Sequence, residues 1–131
     1  MSIRTVAALG ILLLAAACTQ PIKKVEKSNY GWGPQKGVTL AQMQSTIEKT
    51  ATGLGWQLSD VKTGSFTAKR SWDGDKHNMA VDVLYDAKNF SIRYKDSKAM
   101  SYNGRSIHHT YNDMVAILQD TIKTNISTLQ P

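Results

Sequence analysis

The chain has a single cysteine, Cys18, so no disulfide can close within it. Stability has to come from packing alone. Long apolar runs are also missing after the first residues. The one present, Val6 to Ala17, falls short of the roughly 20 residues that a membrane-spanning helix needs. Acidic side chains are few, 10 against 16 basic ones. Asp73, Asp75, Asp86 and Asp96 read as turn or strand-end residues, which excludes a pair of carboxylates set for hydrolysis. No serine stands in a glycine-rich nucleophile elbow. There are 3 histidines, His77, His108 and His109, and no internal repeat or low-complexity tract.

What the N-terminus does have is a charged start, a short apolar run and small residues at its end, "MSIRTVAALGILLLAAAC". These are the marks of a secretory signal over residues 1–17. With Cys18 directly after "AAA", the segment resembles the lipobox-type signal of bacterial lipoproteins, which is cleaved just before a cysteine that then carries the lipid. The usual leucine three places before the cysteine is Ala15 here, with Leu14 one place further away. The resemblance implies a diacylglycerol and an N-acyl chain such as palmitate on Cys18. Two such anchors are enough for stable attachment to a membrane. Thr19 in place of an aspartate implies the outer membrane. Cleavage there removes one basic residue, Arg4, and no acid, so 15 of the 16 basic side chains stay in the mature chain. Export makes nucleic acid an improbable target for this charge, and anionic lipid or an envelope polymer fits better.

Residues 18–37 read as a lipidated cysteine and a flexible tether, with Pro21, Pro34, three glycines and no sustained period. Within it "NYGWG" reads as a short edge strand. Lys23, Lys24 and Lys27 lie close to the expected lipid. Residues 38–131 read as one domain, for about 95 residues bury a single core. "TLAQ" at Thr39 fits a capping box. Leu40, Met43, Ile47 and Leu54 follow on one helical face, and Gly53 and Gly55 supply the stop. From Trp56 the period changes to two. "WQLSDV", "SFTAKRSW", "HNMAVDVLY" and "NFSIRYK" read as strands joined by short turns, hence an antiparallel meander. Phe66, Ala68, Trp72, Met79, Val81, Val83, Tyr85, Phe90, Ile92 and Tyr94 share the inner face. Arg70 falls among them and reads as an edge, snorkelling or bulge residue. A last helix is expected from Ser106 to Asn125, with Ile107, Tyr111, Met114, Val115, Leu118 and Ile122 as its apolar stripe. The expected fold is α+β and two-layered: a four-stranded antiparallel meander with two helices on one face, in the order α-β-β-β-β-α.

Tyr94, Ser97, Tyr102, Ile107, His108, Tyr111 and Asn112 follow a pattern Y-x-x-S, then Y, then IH-x-x-YN. With Gly55–Trp56 after the first helix, the domain resembles an uncharacterised group of small exported bacterial proteins and lipoproteins. The resemblance implies the fold and an envelope location, and implies no activity. Its residues form the first candidate site, a loop latch or pocket: Tyr94, Ser97, Tyr102, His108, Tyr111 and Asn112. Ser106 reads as the helix cap, and His108 with Asn112 as hydrogen-bonding the loop near Ser97 or Tyr102. The second candidate is the open sheet face, where Lys69, Asp82 and Arg93 would align across three strands. Trp32 is a third, on the tether. Zinc needs three or four converging ligands. His108 and His109 diverge by about 100° on a helix, and His109 with Asp113 makes only a two-ligand pair. No cofactor is expected. These readings point to a non-enzymatic binding or scaffolding lipoprotein, facing the periplasm, with an envelope protein or glycan as partner. The rival class is a small envelope hydrolase or metal-binding protein using His108, His109 and Asp113.

Overall fold

Alternation of apolar and polar residues makes strands of the middle of the chain, and helical spacing makes helices on both sides of it. The computed structural model describes residues 18–131; the signal-peptide reading of residues 1–17 lies outside them. In chain order the elements are β1 (Thr19–Pro21), β2 (Val25–Asn29), α1 (Leu40–Gly53), β3 (Gln57–Lys62), β4 (Ser65–Trp72), β5 (His77–Tyr85), β6 (Asn89–Lys98), β7 (Ser106–His108) and α2 (His109–Ser127). The fold is α+β with antiparallel pairing throughout. Among the described residues, no helix is long and apolar enough to cross a membrane.

The expected meander is present as β3 to β6, but the sheet does not stop at four strands. Its order is β2-β6-β5-β4-β3, and β1 with β7 forms a second, two-stranded sheet. The flexible tether is therefore corrected: much of it is strand. Val25–Asn29 lies on the free edge of β6, with Val25 opposite Ile92 and Asn29 opposite Asn89. Thr19, Gln20 and Pro21 face His108, Ile107 and Ser106. The physical reason is that β6 and residues 106–108 carry unpaired backbone groups, which another strand can satisfy. The edge strand ends at Asn29, the first residue of "NYGWG", instead of running through that segment. Tyr30 is buried against Phe90, and its hydroxyl donates to the carbonyls of Asp86 and Asn89.

The inner face follows the alternation. Phe66, Ala68, Met79, Val81, Val83, Tyr85, Phe90 and Ile92 are buried, and Trp72 and Tyr94 pack at the margin. Met43, Ile47 and Ala51 of α1 and Tyr111, Val115, Leu118, Ile122 and Ile126 of α2 complete the same core. Leu40, expected on the stripe, is exposed. Between the helices, Asn125 Nδ2 donates to Thr50 Oγ1 at 2.9 Å.

Helix α1 begins with the capping box. Gln42 N donates to Thr39 Oγ1, and Thr39 N donates to Gln42 Oε1. It ends in a Schellman arrangement, with Trp56 N on Ala51 O and Gly55 N on Thr52 O. Arg70 explains its odd phase here: its guanidinium reaches past the sheet edge to the carbonyl of Leu54, satisfying a helix end. Gly55 has φ +93°, and a Cβ there would stand 3.3 Å from that guanidinium. Gly55→Ala should therefore destabilise the protein by about 1–2 kcal/mol through the left-handed backbone alone. Urea denaturation measures it, and an unchanged midpoint would contradict this account of the helix end.

Candidate functional site

The residues of the pattern from Tyr94 to Asn112 meet at one end of α2. Tyr94 and Ser97 share a hydroxyl hydrogen bond at 2.8 Å. The Tyr94 ring stacks on Tyr102 with centroids 4.0 Å apart and tilts against Tyr111 at 5.7 Å. Tyr111 is wholly buried, and its hydroxyl has no hydrogen-bond partner among the described residues. Burial pushes the Tyr111 phenol well above its ordinary range. It pushes Tyr94 up as well, with the Ser97 bond opposing.

Three details differ from expectation. The helix starts at His109, not Ser106, because Asn103 Oδ1 accepts from both Arg105 N and Ser106 N. That turn sends the chain on as strand β7, so Ile107 is buried as a strand residue instead of a helical one. The cap is His108, whose Nδ1 accepts from Thr110 N at 3.2 Å. The loop is tied by the His108 backbone, with N donating to Met100 O at 2.7 Å.

Asn112 reaches neither Ser97 nor Tyr102. Its carboxamide clasps the N-terminal segment. Oδ1 accepts from Lys23 N at 2.8 Å, while Nδ2 donates to Pro21 O at 3.0 Å and to Gln20 Oε1 at 3.3 Å. Ile22 N donates to Arg105 O, and His109 N donates to Cys18 O at 3.1 Å. The pattern thus encodes a clasp on residues 18–23. Nothing local in residues 18–23 announces this partner, which is about ninety positions away in sequence.

A cleft of about 300 Å³ opens beside the clasp, between the β1–β2 connection and β6. Ile22, Lys23, Lys24, Tyr94, Tyr102 and Gly104 line it, with Glu26 and Arg93 on the far wall. Arg93 holds Glu26 through two bonds, Nε to Oε1 at 2.8 Å and Nη2 to Oε2 at 3.1 Å. This bidentate bond holds the Glu26 carboxyl below the usual glutamate range.

The open sheet face arranges its charges differently from the expected line. Thr67, Asp82 and Arg93 are the residues in register across β4, β5 and β6. Lys69 lies opposite Ala80, because the hairpin that pairs Trp72 with His77 sets the register two residues away. Its ammonium stands 4.0 Å from Asp75. The cation on Asp82 is Lys95, which the register break between Ala80 and Val81 leaves unpaired on β6. Lys95 Nζ donates to Thr67 Oγ1 at 3.0 Å and stands 3.4 Å from Asp82, to which Thr67 also donates. A shallow cavity of about 340 Å³ lies over this network. Alternation along the sequence puts Thr67 and Lys95 on this face without singling them out, and Glu26 was missed; the bulge and the β2 edge that supply the last two have no local signature.

His108 and His109 are closer than two helical neighbours would be, with ring centroids 4.5 Å apart, because only His109 is inside the helix. His109 Nδ1 and Asp113 Oδ2 are 3.0 Å apart on the surface. Among the described residues, no three His, Cys, Asp or Glu side chains are grouped to hold a metal ion. His77, stacked on Trp72 with Nδ1 at Ala99 O, lines a small cavity of about 100 Å³ together with His108. Trp32 is 98% exposed in the β2–α1 connection.

Asn112→Ala removes the clasp and should cost about 2 kcal/mol, two or three modest hydrogen bonds. His108→Ala should cost about 1 kcal/mol and His108→Asn much less, since asparagine caps as well. Chemical denaturation checks both; equal loss for the two His108 variants would deny the cap.

The chain matches no protein-family model, no curated protein and no solved structure.

Proposed function

We propose that this chain is a lipoprotein of the bacterial outer membrane, cleaved before Cys18, with its domain facing the periplasm as a binding or scaffolding module. The observation that carries the reading is the lipobox-like run ending at Cys18, together with that residue's exposed position at the first strand of the fold. An exposed thiol leaves room for diacylglycerol, where a buried one would not. The domain's two-layer plan leaves one face of the five-stranded sheet uncovered by helices. That face holds Thr67, Asp82, Lys95 and Arg93 in a fixed array of hydroxyl, carboxylate, ammonium and guanidinium groups. Such an array suits an acidic protein patch or the hydroxyls of an envelope glycan. Cavity shape also argues for binding over catalysis here, because the array is shallow and offers no enclosed place for a reacting bond.

The rival reading, a hydrolase or metal site, draws on the contact of His109 with Asp113 and on the small cavity that His77 and His108 share. Against it, His108 Nδ1 is engaged as a helix cap, and the His109–Asp113 pair is open to water.

Cys18→Ser should move the protein from the membrane fraction to the soluble periplasmic fraction; unchanged fractionation would refute lipidation. A photo-crosslinker at Lys69, on the open face, should capture a specific neighbour that one at Lys49 on α1 does not. Titration with zinc should leave the histidine NMR signals without a tight stoichiometric shift. Such a shift at His77, His108 and His109 would favour the rival instead.

A further inference from the structure

The position of Cys18 decides how a lipid on it would hold the domain. A free stalk of residues 18–37 would let the domain range about 65 Å from its anchor. No such stalk exists in the fold. Cys18 O is bonded to His109 N, residues Thr19–Pro21 pair with Ser106–His108, Ile22 N is bonded to Arg105 O, and Lys23 N to Asn112. The chain is thus clasped from the lipid-bearing residue onward, and anchor and domain share one rigid body.

The surface around this anchor has the chemistry of a bilayer interface. Lys24, Tyr102, Gly104 and Arg105 are exposed there, and Lys23 half so. Tyr102, 40% exposed, has one ring face fixed against Tyr94, which leaves its other side for the boundary between headgroup and acyl chain. Lys23 and Lys24 are in no ion pair among the described residues. The one acid lining the cleft between them, Glu26, is already neutralised by Arg93. Asp113 near this end faces His109, and Asp96, close enough to Tyr94 to push its phenol up, accepts from Ser97 N.

The opposite end is equally well defined. Strand β2 runs along α2 in the same direction, since Lys23 contacts Asn112 and Ser28 contacts Gln119. The Trp32 connection follows β2, and Gly37 beyond it lies against Pro131. Helix α2 has 19 residues, so these two ends are separated by about 28 Å.

We infer that the lipid seats the domain directly on the bilayer in one orientation, with Lys23, Lys24, Tyr102 and Arg105 on anionic phospholipid headgroups and Trp32 pointing away from the membrane. The cleft of about 300 Å³ beside Tyr102 takes a headgroup phosphate, with Lys23 and Lys24 as its cations. The anionic lipid is chosen by charge complementarity: Lys23, Lys24 and Arg105 are in no ion pair among the described residues, and Glu26, the acid that lines the cleft, is held by Arg93. The inference rests on lipidation of Cys18.

The test uses the mature, lipidated protein in nanodiscs of phosphatidylglycerol with a trace of headgroup-spin-labelled lipid. Intact mass first reads the lipid on Cys18. NMR should then show strong broadening of the Tyr102, Gly104 and Arg105 amides, with the Trp32 indole N–H signal spared. Lys23→Glu with Lys24→Glu should remove most of the broadening at Tyr102 while the lipid still holds the protein in the disc. A protein with no acyl mass on Cys18 would overturn the anchored reading and this inference with it. A lipidated protein with weak, uniform broadening over the whole domain would overturn this inference alone. Equal broadening at Tyr102 in discs of phosphatidylcholine would overturn the choice of anionic headgroups.

Discussion

The carboxamide of Asn112 joins the two halves of this structure. It gives one acceptor to Lys23 N and two donor contacts to Pro21 O and Gln20 Oε1, so residues 20–23 are closed onto a helix that begins about ninety residues later. Strand β1 alone is three residues long and would not hold. A pair of such short strands is marginal in water. With the clasp, the pairing on β7 is locked, Ile107 is covered, and β2 is delivered to the open edge of β6. The edge that would invite association with another chain is then satisfied within the molecule.

The same clasp gives a reason for the aromatic cluster beneath it. Tyr94, Tyr102 and Tyr111 support the turn that feeds β7, and the Tyr94–Ser97 bond holds the bulged end of β6. Each residue in the pattern from Tyr94 to Asn112 thus has a mechanical role: ring, hydroxyl partner, buried strand residue, cap, core residue, clasp. In the fold, the stretch with its two adjacent histidines works as a joint. Its consequence for function lies in what the joint holds, namely the segment that begins at Cys18.

Much of this was legible in the sequence. The period-two alternation of Met79, Val81, Val83 and Tyr85 gave their face correctly, as did Thr39 with Gln42 for the start of α1. These are local signals, in which a residue's neighbours along the chain report its environment. The strands at 19–21 and 25–29 carry no such signal. Only Val25 is buried in VEKSN, and TQP offers no apolar residue at all. Their structure comes from partners far along the chain, and backbone pairing leaves little trace in side-chain pattern. Ser106 misled for a related reason. It is a good cap by type, but residues 106–108 pair with β1 as strand β7, and the less common His108 took the role. On the open face the misreading was one of register: Lys69 and Asp82 are on the same side, yet the hairpin turn sets them two residues out of line, and the bulge brings Lys95 instead.

Whether residues 18–23 belong to the fold is the claim on which the seated anchor depends. Amide hydrogen exchange on the Cys18→Ser protein tests it without any membrane present. The Ile22 and Lys23 amides, bonded to Arg105 O and Asn112 Oδ1, should be protected to a degree comparable with the His108 amide of β7. Exchange of Ile22 and Lys23 at the rate of an unstructured chain, with β4 to β6 still protected, would contradict it.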